Sequence, residues 1–414
     1  MALSLQRYTW SDSVYNILKE RIRKERERSP VLAIKIGDGL PENVIVEILS
    51  WLPVKDLLQL KCACKSWHAI ISSNDFISKH LKNYYKHKSD DNDCLLVQYY
   101  ISHAELQLFE LLLDDTPRVL ANEVLYGMPL YGSHVCGPCD GIYYLYNYDE
   151  AGRALWNPAI NELKVLPRLI TKPHLPPNLG SAKNEVYGFG YDPATDDYKV
   201  VVLKGYWPAS DEEESEVTPP LSVFIYSLRT DSWRYWGDLA QYYDLEDNKC
   251  YIAVNGCFYW LGSCERDENP EVIISFDMVK DATQEIHVPD YDQPASKSLG
   301  IYDDSLAFLA VHENENRLDI WTWKAGLWTK KFTMGLTLDV GRPIGHWKKN
   351  KILLEGDCNQ LVLCDPDIEE VKHLEFQMDH WCEGALVYRE SLLSVKDRSR
   401  WGHLEAAEAD ANEV

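Results

Sequence analysis

Three sets of residues in the 414-residue chain have the types and spacing of reactive or binding groups. Cys136-Gly-Pro-Cys139 has the form of a thiol oxidoreductase motif, whose first thiol needs a helix N-terminus to be held as thiolate. Here Asp140-Gly141 and then Ile142-Tyr-Tyr-Leu-Tyr146 follow, a turn and a strand, so that helix is missing. His134, Cys136 and Cys139 supply three groups that could bind zinc, but no distant ligand pair stands at the expected spacing. Asp211-Glu-Glu-Glu-Ser-Glu216 is the sharpest charge cluster. It is either a solvated hairpin loop or a patch that steers a basic partner. Cys62-x-Cys64 fits burial as small apolar thiols, and Cys250, Cys257 and Cys264 straddle strand and loop patterns without forming a ligand set. There is no nucleotide loop, no Gly-x-Ser-x-Gly and no His-Glu-x-x-His. A catalytic β-propeller, a hydrolase or thiol oxidoreductase with a helical cap, is the enzyme alternative; it has no local signature.

The elements that must position these groups change character along the chain. Residues 1–37 form an extension in which Ser11 to Arg28 reads as one helix, with Val14, Ile17, Leu18 and Ile22 at helical spacing. Its end is dense in mixed charge, the pattern of a solvated helix with Glu/Arg pairs. Residues 38–82 form a helical block, 83–93 a polar linker, 94–395 an all-β region, and 396–414 a disordered tail. With 14 Trp and 25 Tyr the chain is rich in the large side chains that suit pleated faces.

The formal charge is −23. Residues 1–90 carry 15 Lys+Arg against 10 Asp+Glu, and the rest carries 27 against 55, so the β region is the acidic part. That excludes the basic footprint of a nucleic-acid binder and favours either solubility or a basic protein partner. No apolar run is long enough for a transmembrane helix, and Met1 to Trp10 lacks a signal-peptide core, so no membrane is expected. Eleven scattered Cys fit free thiols in a reducing compartment, the cytosol and also the nucleus.

The β region repeats weakly. Trp156, Tyr226, Phe276, Trp321 and Cys364 anchor strand–turn–strand units 70, 50, 45 and 43 residues apart. Four short strands per unit at that period is the mark of a propeller. Tyr187–Trp236 holds one whole unit, with strands at 187–191, 198–205, 221–228 and 232–236. Strands in 95–113 and 385–395 are expected to make a sixth blade from both ends of the region. A β-sandwich or an open propeller are the other readings. Loops 171–184, 206–220 and 262–270 are the candidate recognition loops.

In the helical block, Pro41 suits a first helical position, and Ile45, Ile48, Leu49 and Leu52 fall on one face. Pro53 stops that helix. A second presents Leu57, Leu58 and Cys62, a third Trp67, Ile70 and Ile71. A final short helix, capped by Ser73 or Asn74, presents Phe76 and Leu81. So small a block cannot bury all these groups internally, so it docks on a partner or caps the β region.

Leu40-Pro41, Ile48-Leu49, Leu52-Pro53, Lys55, Leu57-Leu58, Lys61-Cys62, Cys64-Lys65 and Ser66-Trp67 resemble a plant F-box, with Leu60 where Phe is common. Gly137-Pro-Cys-Asp-Gly141, Trp156-Asn-Pro158, Tyr187-Gly-Phe-Gly-Tyr-Asp192, Tyr198-Lys-Val-Val201 and Ser275-Phe-Asp277 resemble the F-box-associated domain of the same proteins. The resemblance implies a mainly β protein with a small α module, a three-helix F-box followed by a kelch-like, β-propeller-like domain. It implies a non-catalytic substrate-recognition subunit of an SCF ubiquitin ligase, without cofactor or metal. Leu40, Pro41, Ile45, Ile48, Leu49, Leu52, Pro53, Leu57, Leu58, Cys62 and Trp67 would then form the face for a SKP-type adaptor, or the core behind it. Cullin and RING subunits would follow through that adaptor. The β domain would select a protein target, with Asp211, Glu212, Glu213, Glu214 and Glu216 as candidate contacts for a basic one. The nearest branch by resemblance is the S-locus F-box group, which recognises style ribonucleases in self-incompatibility; general plant receptors of defence or hormone regulation are the alternative.

Overall fold

The computed structural model describes residues 41–87 and most of 94–396, with longer breaks at 102–105, 120–133, 147–151, 173–178, 209–219, 246–250 and 265–270. Shorter breaks fall at 114–115, 171, 293–294, 339, 348–349, 357–359 and 378–381. The helix expected over Ser11–Arg28 and the expected tail lie outside the described residues. No described helix is long and apolar enough to cross a membrane.

The chain forms two compact units that divide between Phe76 and Ile77. In the first, α1 is Glu42–Leu49, α2 Val54–Lys61 and α3 Lys65–Ser72; α4, Asn74–His87, begins here and continues into the second. Pro41 stands one residue outside its helix rather than at the first helical position, and Pro53 likewise stands just before α2. Each is extended (φ −58°, ψ 144° and φ −57°, ψ 150°) and lends its carbonyl to the first orphan amides. Pro41 accepts from Val44 and Ile45, Pro53 from Asp56 and Leu57. Pro53 does not stop α1, which has already ended at Leu49 and is followed by a turn through Ser50 and Trp51. The Cys64 sulfur accepts the Trp67 amide at the start of α3, and the Ser73 hydroxyl accepts that of Phe76 at the start of α4. Leu49, Val54, Leu57, Ile71 and Phe76 are the buried apolar residues of this unit.

Helix α4 has 14 residues, so the polar run at 83–87 is helix and not linker. Ile77 and Leu81 lie one turn apart on this helix. Both pack on a core cluster of the second unit, and His80 is buried between them in sequence.

Among the described residues twenty-five strands follow, in six antiparallel sheets. They are β4–β7 (His134–Val165), β8–β11 (Leu179–Asp238), β12–β16 (Asp244–His287), β17–β20 (Ser296–Gly335) and β21–β24 (Val340–Gln377). The sixth runs in the order β25-β1-β2-β3, pairing Cys382–Tyr388 with Cys94–Ile101, Leu106–Leu113 and Thr116–Val119. The innermost strands meet in the order β25, β4, β8, β13, β17, β21 and back to β25, so the ring is closed by a blade made from both sides of the sequence. The expected sixth blade is present, but 389–395 is not strand. The anchors Trp156, Tyr226, Phe276, Trp321 and Cys364 all lie on the third strand of a sheet. The third sheet has five strands because β12 and β13 both pair with β14.

Six apolar clusters fill the ring, one at each seam between sheets. Successive residues of a strand serve opposite seams: on β9, Val200 and Val202 face one cluster, Val201 and Leu203 the next. This two-sided burial explains the continuous apolar runs of β5, β10 and β18. The Tyr187-Gly-Phe-Gly-Tyr-Asp192 run of β8 follows the same alternation. Tyr187 and Phe189 fill one seam, while Gly188 and Gly190 leave the other face bare for Phe258 and Trp260 of the next sheet. A Cβ at Gly188 would stand 2.9 Å from the Phe258 ring.

The hairpins between first and second strands use residues that tolerate positive φ: Asp140-Gly141, Asn255-Gly256 and Asp303-Asp304. Those between third and fourth strands repeat another device. A polar side chain closes the turn at Asn157, Ser227, Asp277 and Asp365, and a left-handed residue stands four positions later at Asn161, Asp231, Asp281 and Glu369. Gly188→Val is expected to destabilise the ring by about 1–3 kcal/mol through overpacking, read as a lower urea midpoint at unchanged slope.

Candidate functional site

The helical unit offers one candidate surface. Along α1 and the turn after it, Ile45, Leu49 and Leu52 are half-buried or buried, while Val44, Ile48 and Trp51 are 36%, 39% and 48% exposed. Both sets are spaced i, i+4, i+7, so one stripe faces the unit's interior and a second, parallel stripe faces solvent. The Trp51 indole N–H donates to a Glu47 carboxylate oxygen at 3.0 Å, which holds the ring along the helix. Of the other expected face residues, Pro41, Pro53 and Cys62 are exposed, Leu58 and Trp67 half-buried, Leu57 buried; Leu40 lies outside the described residues. Val44 and Trp51 were missing from the expected face, although the offset by one residue from Ile45 and Leu52 carries the signal. Cys62 and Cys64 are exposed, not buried, because they sit in and beside the turn between α2 and α3.

The ring offers a second. In an antiparallel blade the short turns after first and third strands share one end of the ring. The connections from second to third strand, and from one sheet to the next, share the other. All three expected recognition loops connect strands at that second end: 171–184 joins β7 to β8, 206–220 β9 to β10, 262–270 β14 to β15. Their described parts are shorter than expected, since 179–184, 206–208 and 262–263 are strand. The acidic run Asp211, Glu212, Glu213, Glu214 and Glu216 lies outside the described residues.

Two buried charge clusters underlie this end. At the seam of the first and second sheets, Arg153 and Lys204 close on Glu185 at 2.5 and 2.8 Å, and the Tyr187 hydroxyl donates to the same carboxylate at 2.6 Å. Burial pushes the Glu185 carboxyl up, but Arg153 and Lys204 outweigh it and hold it below the ordinary range. At the second cluster, buried Asp319 takes Lys330 at 3.0 Å and His312 at 3.2 Å, with the Thr333 hydroxyl donating at 2.7 Å. Burial opposes its charge, and the Thr333 bond with the Lys330 and Arg317 charges lowers its pKa nonetheless. These clusters join strands and have the connectivity of structural ion pairs.

The thiol motif does not form a reactive centre. Cys136 and Cys139 lie on β4 across a register shift, followed by the Asp140-Gly141 turn and strand β5. Burial pushes both thiols well above their ordinary pKa, and Asp140 adds to the effect at Cys139. A thiolate is therefore disfavoured where the oxidoreductase reading needs one. His134 stacks on the Tyr146 ring at 5.2 Å.

Comparison with known proteins decides what these surfaces belong to. The F-box domain pattern matches residues 38–79, and the F-box associated beta propeller domain matches 120–389. The chain belongs to the F-box associated β-propeller family. The ring extends beyond that match, because β1 to β3 precede residue 120. An F-box/kelch-repeat protein of Arabidopsis thaliana, At3g23880, is 28% identical over 87% of this chain and 96% of its own length. The F-box protein CPR1 of the same plant is 24% identical over 82% and 84%, and F-box protein At3g08750 26% over 68% and 69%.

Alkylation of the native F-box protein at pH 8 is expected to label Cys62 and Cys64 and to spare Cys136 and Cys139 until urea is added; peptide mass mapping reads the order. Glu185→Gln is expected to cost about 3 kcal/mol, because it leaves two buried cations against a neutral group. A lowered folded-state pKa means this stability is present above the unfolded value of 4.5 and is lost as pH falls through the folded one. The gap between wild type and variant should therefore close in acid urea titrations.

Proposed function

We propose that this F-box protein is the substrate receptor of an SCF-type ubiquitin ligase, binding and not catalytic by itself. The observation that carries the reading is the solvent-facing stripe Val44, Ile48 and Trp51 on a unit that matches the F-box domain. Three large apolar groups in one row on α1 and its turn suit a protein interface, since each is worth about 1.5–3 kcal/mol when covered. A SKP-type adaptor is the partner proposed, with cullin and RING subunits beyond it. The loop end of the ring is proposed to hold the protein to be ubiquitinated for proteasomal degradation. Tethering then replaces a chance encounter with the charged ubiquitin carrier by a high local concentration. The absence of disulfides among the described cysteines fits a cytoplasmic setting, with the nucleus in addition.

For the target, the charge of −23 supports a basic protein steered by the acidic run at 211–216. A style ribonuclease, as in the S-locus group, is one such target; a component of defence or hormone signalling is the other class.

Val44→Asp with Ile48→Asp is expected to weaken adaptor binding at least about a hundredfold in calorimetry while leaving the melting temperature unchanged, since both sites are exposed. Leu49→Asp, at a buried site, is expected to unfold the helical unit instead. Retained adaptor affinity in the double variant would overturn the proposed face. Charge reversal of Asp211, Glu212, Glu213, Glu214 and Glu216 to Lys is expected to slow capture of a basic target at low salt and to have less effect at high salt.

A further inference from the structure

The segment after β25 has no place in the repeat, yet it is fixed by more specific bonds than a trailing end requires. Asn157, fully buried at the β6–β7 hairpin, donates both amide hydrogens to this segment, to the Ser391 carbonyl at 3.1 Å and the Leu393 carbonyl at 2.8 Å. Its own carbonyl oxygen accepts the Ala159 amide at 3.0 Å, so the side chain joins the hairpin to the segment in one unit. At the start of β7, one Glu162 oxygen accepts both the Ser394 hydroxyl at 2.7 Å and the Val395 amide at 3.1 Å. The Ser391 hydroxyl accepts the Leu393 amide at 3.0 Å and shapes the bend. Gly141 completes the seat. A Cβ there would stand 2.6 Å from the Ser391 Cβ and 2.7 Å from the Arg389 carbonyl oxygen, and its φ of +77° already favours glycine.

The segment also delivers apolar groups. Leu393 and Val395 are buried in the cluster of the first seam, and Ile77 and Leu81 of α4 pack against that same cluster. Helix and segment, more than 300 residues apart in sequence, thus pack on one cluster at the seam of the first and second sheets.

We propose that residues 391–395 are a clasp that holds the 77–87 part of α4 on the first seam, with Asn157 as its positioning residue. The clasp lies beyond residue 389, where the match to the family's propeller domain ends. Residues 77–87 are where the chain enters the second unit, so the clasp fixes that entry on the ring.

Hydrogen exchange on the full chain tests it, comparing wild type with Asn157→Ala, with Leu393→Asp and with a chain ended after Glu390. The expected result is exchange of the 77–87 amides faster by about tenfold or more, with β17–β24 unaffected. Unchanged exchange at 77–87 in all three variants would overturn the proposal. So would loss of protection in all six sheets, which would make the segment part of ring closure itself. Failure to bind an adaptor would sink the receptor reading and leave the exchange result standing.

Discussion

Every sheet of the ring has to be covered on both faces, and only its neighbours can do it. That single requirement organises the β region. It makes the strands apolar along their length, turns alternate residues toward alternate seams, and forces the ring to close, since an open ring would leave two sheets half bare. The pairing of β25 with β1 is therefore as necessary to the fold as any seam. It also explains why a bare face at Gly188 and Gly190 is matched by Phe258 and Trp260: one wedge must yield volume where its neighbour brings it.

The helical unit is built on the opposite logic. It is too small to cover its own apolar residues, and α1 with its turn divides them between an inward stripe at Ile45, Leu49 and Leu52 and an outward one at Val44, Ile48 and Trp51. The ring buries its apolar runs in its seams and leaves scattered residues such as Val165, Val279, Leu327 and Ile368 exposed; the helical unit leaves a row facing water. That contrast suits a chain in which one part is a self-sufficient scaffold and the other is completed by a partner.

Much of this was legible in the residues. The anchors Trp156, Tyr226, Phe276 and Cys364 mark third strands because the turn that follows each has Asn, Ser or Asp at its first position, a readable signature, while Trp321 is followed by Ala325-Gly326. The blade shared between the two sides of the sequence followed from counting strands. What was not legible depended on contacts distant in sequence. The polar run at 83–87 looks like a linker unless one knows that Ile77 and Leu81 seat the helix that contains it. Residues 389–395 look like strand by composition, but Asn157 and Glu162 hold them in a bent course that no local pattern announces. Pro41 was placed one position too deep, since a proline just outside a helix and one just inside it read alike.

The shared blade has a consequence for biosynthesis. The helical unit and five sheets can emerge from the ribosome and collapse while the sixth still lacks β25, its innermost strand. Throughout that interval the nascent protein carries an unfinished blade with Leu95 and Val97 toward one seam and Leu96 toward the other, a sticky gap of the kind that chaperones guard. A premature stop anywhere upstream of Cys382 would make that gap permanent, so truncated products should be recognised by quality control even when their other blades are intact.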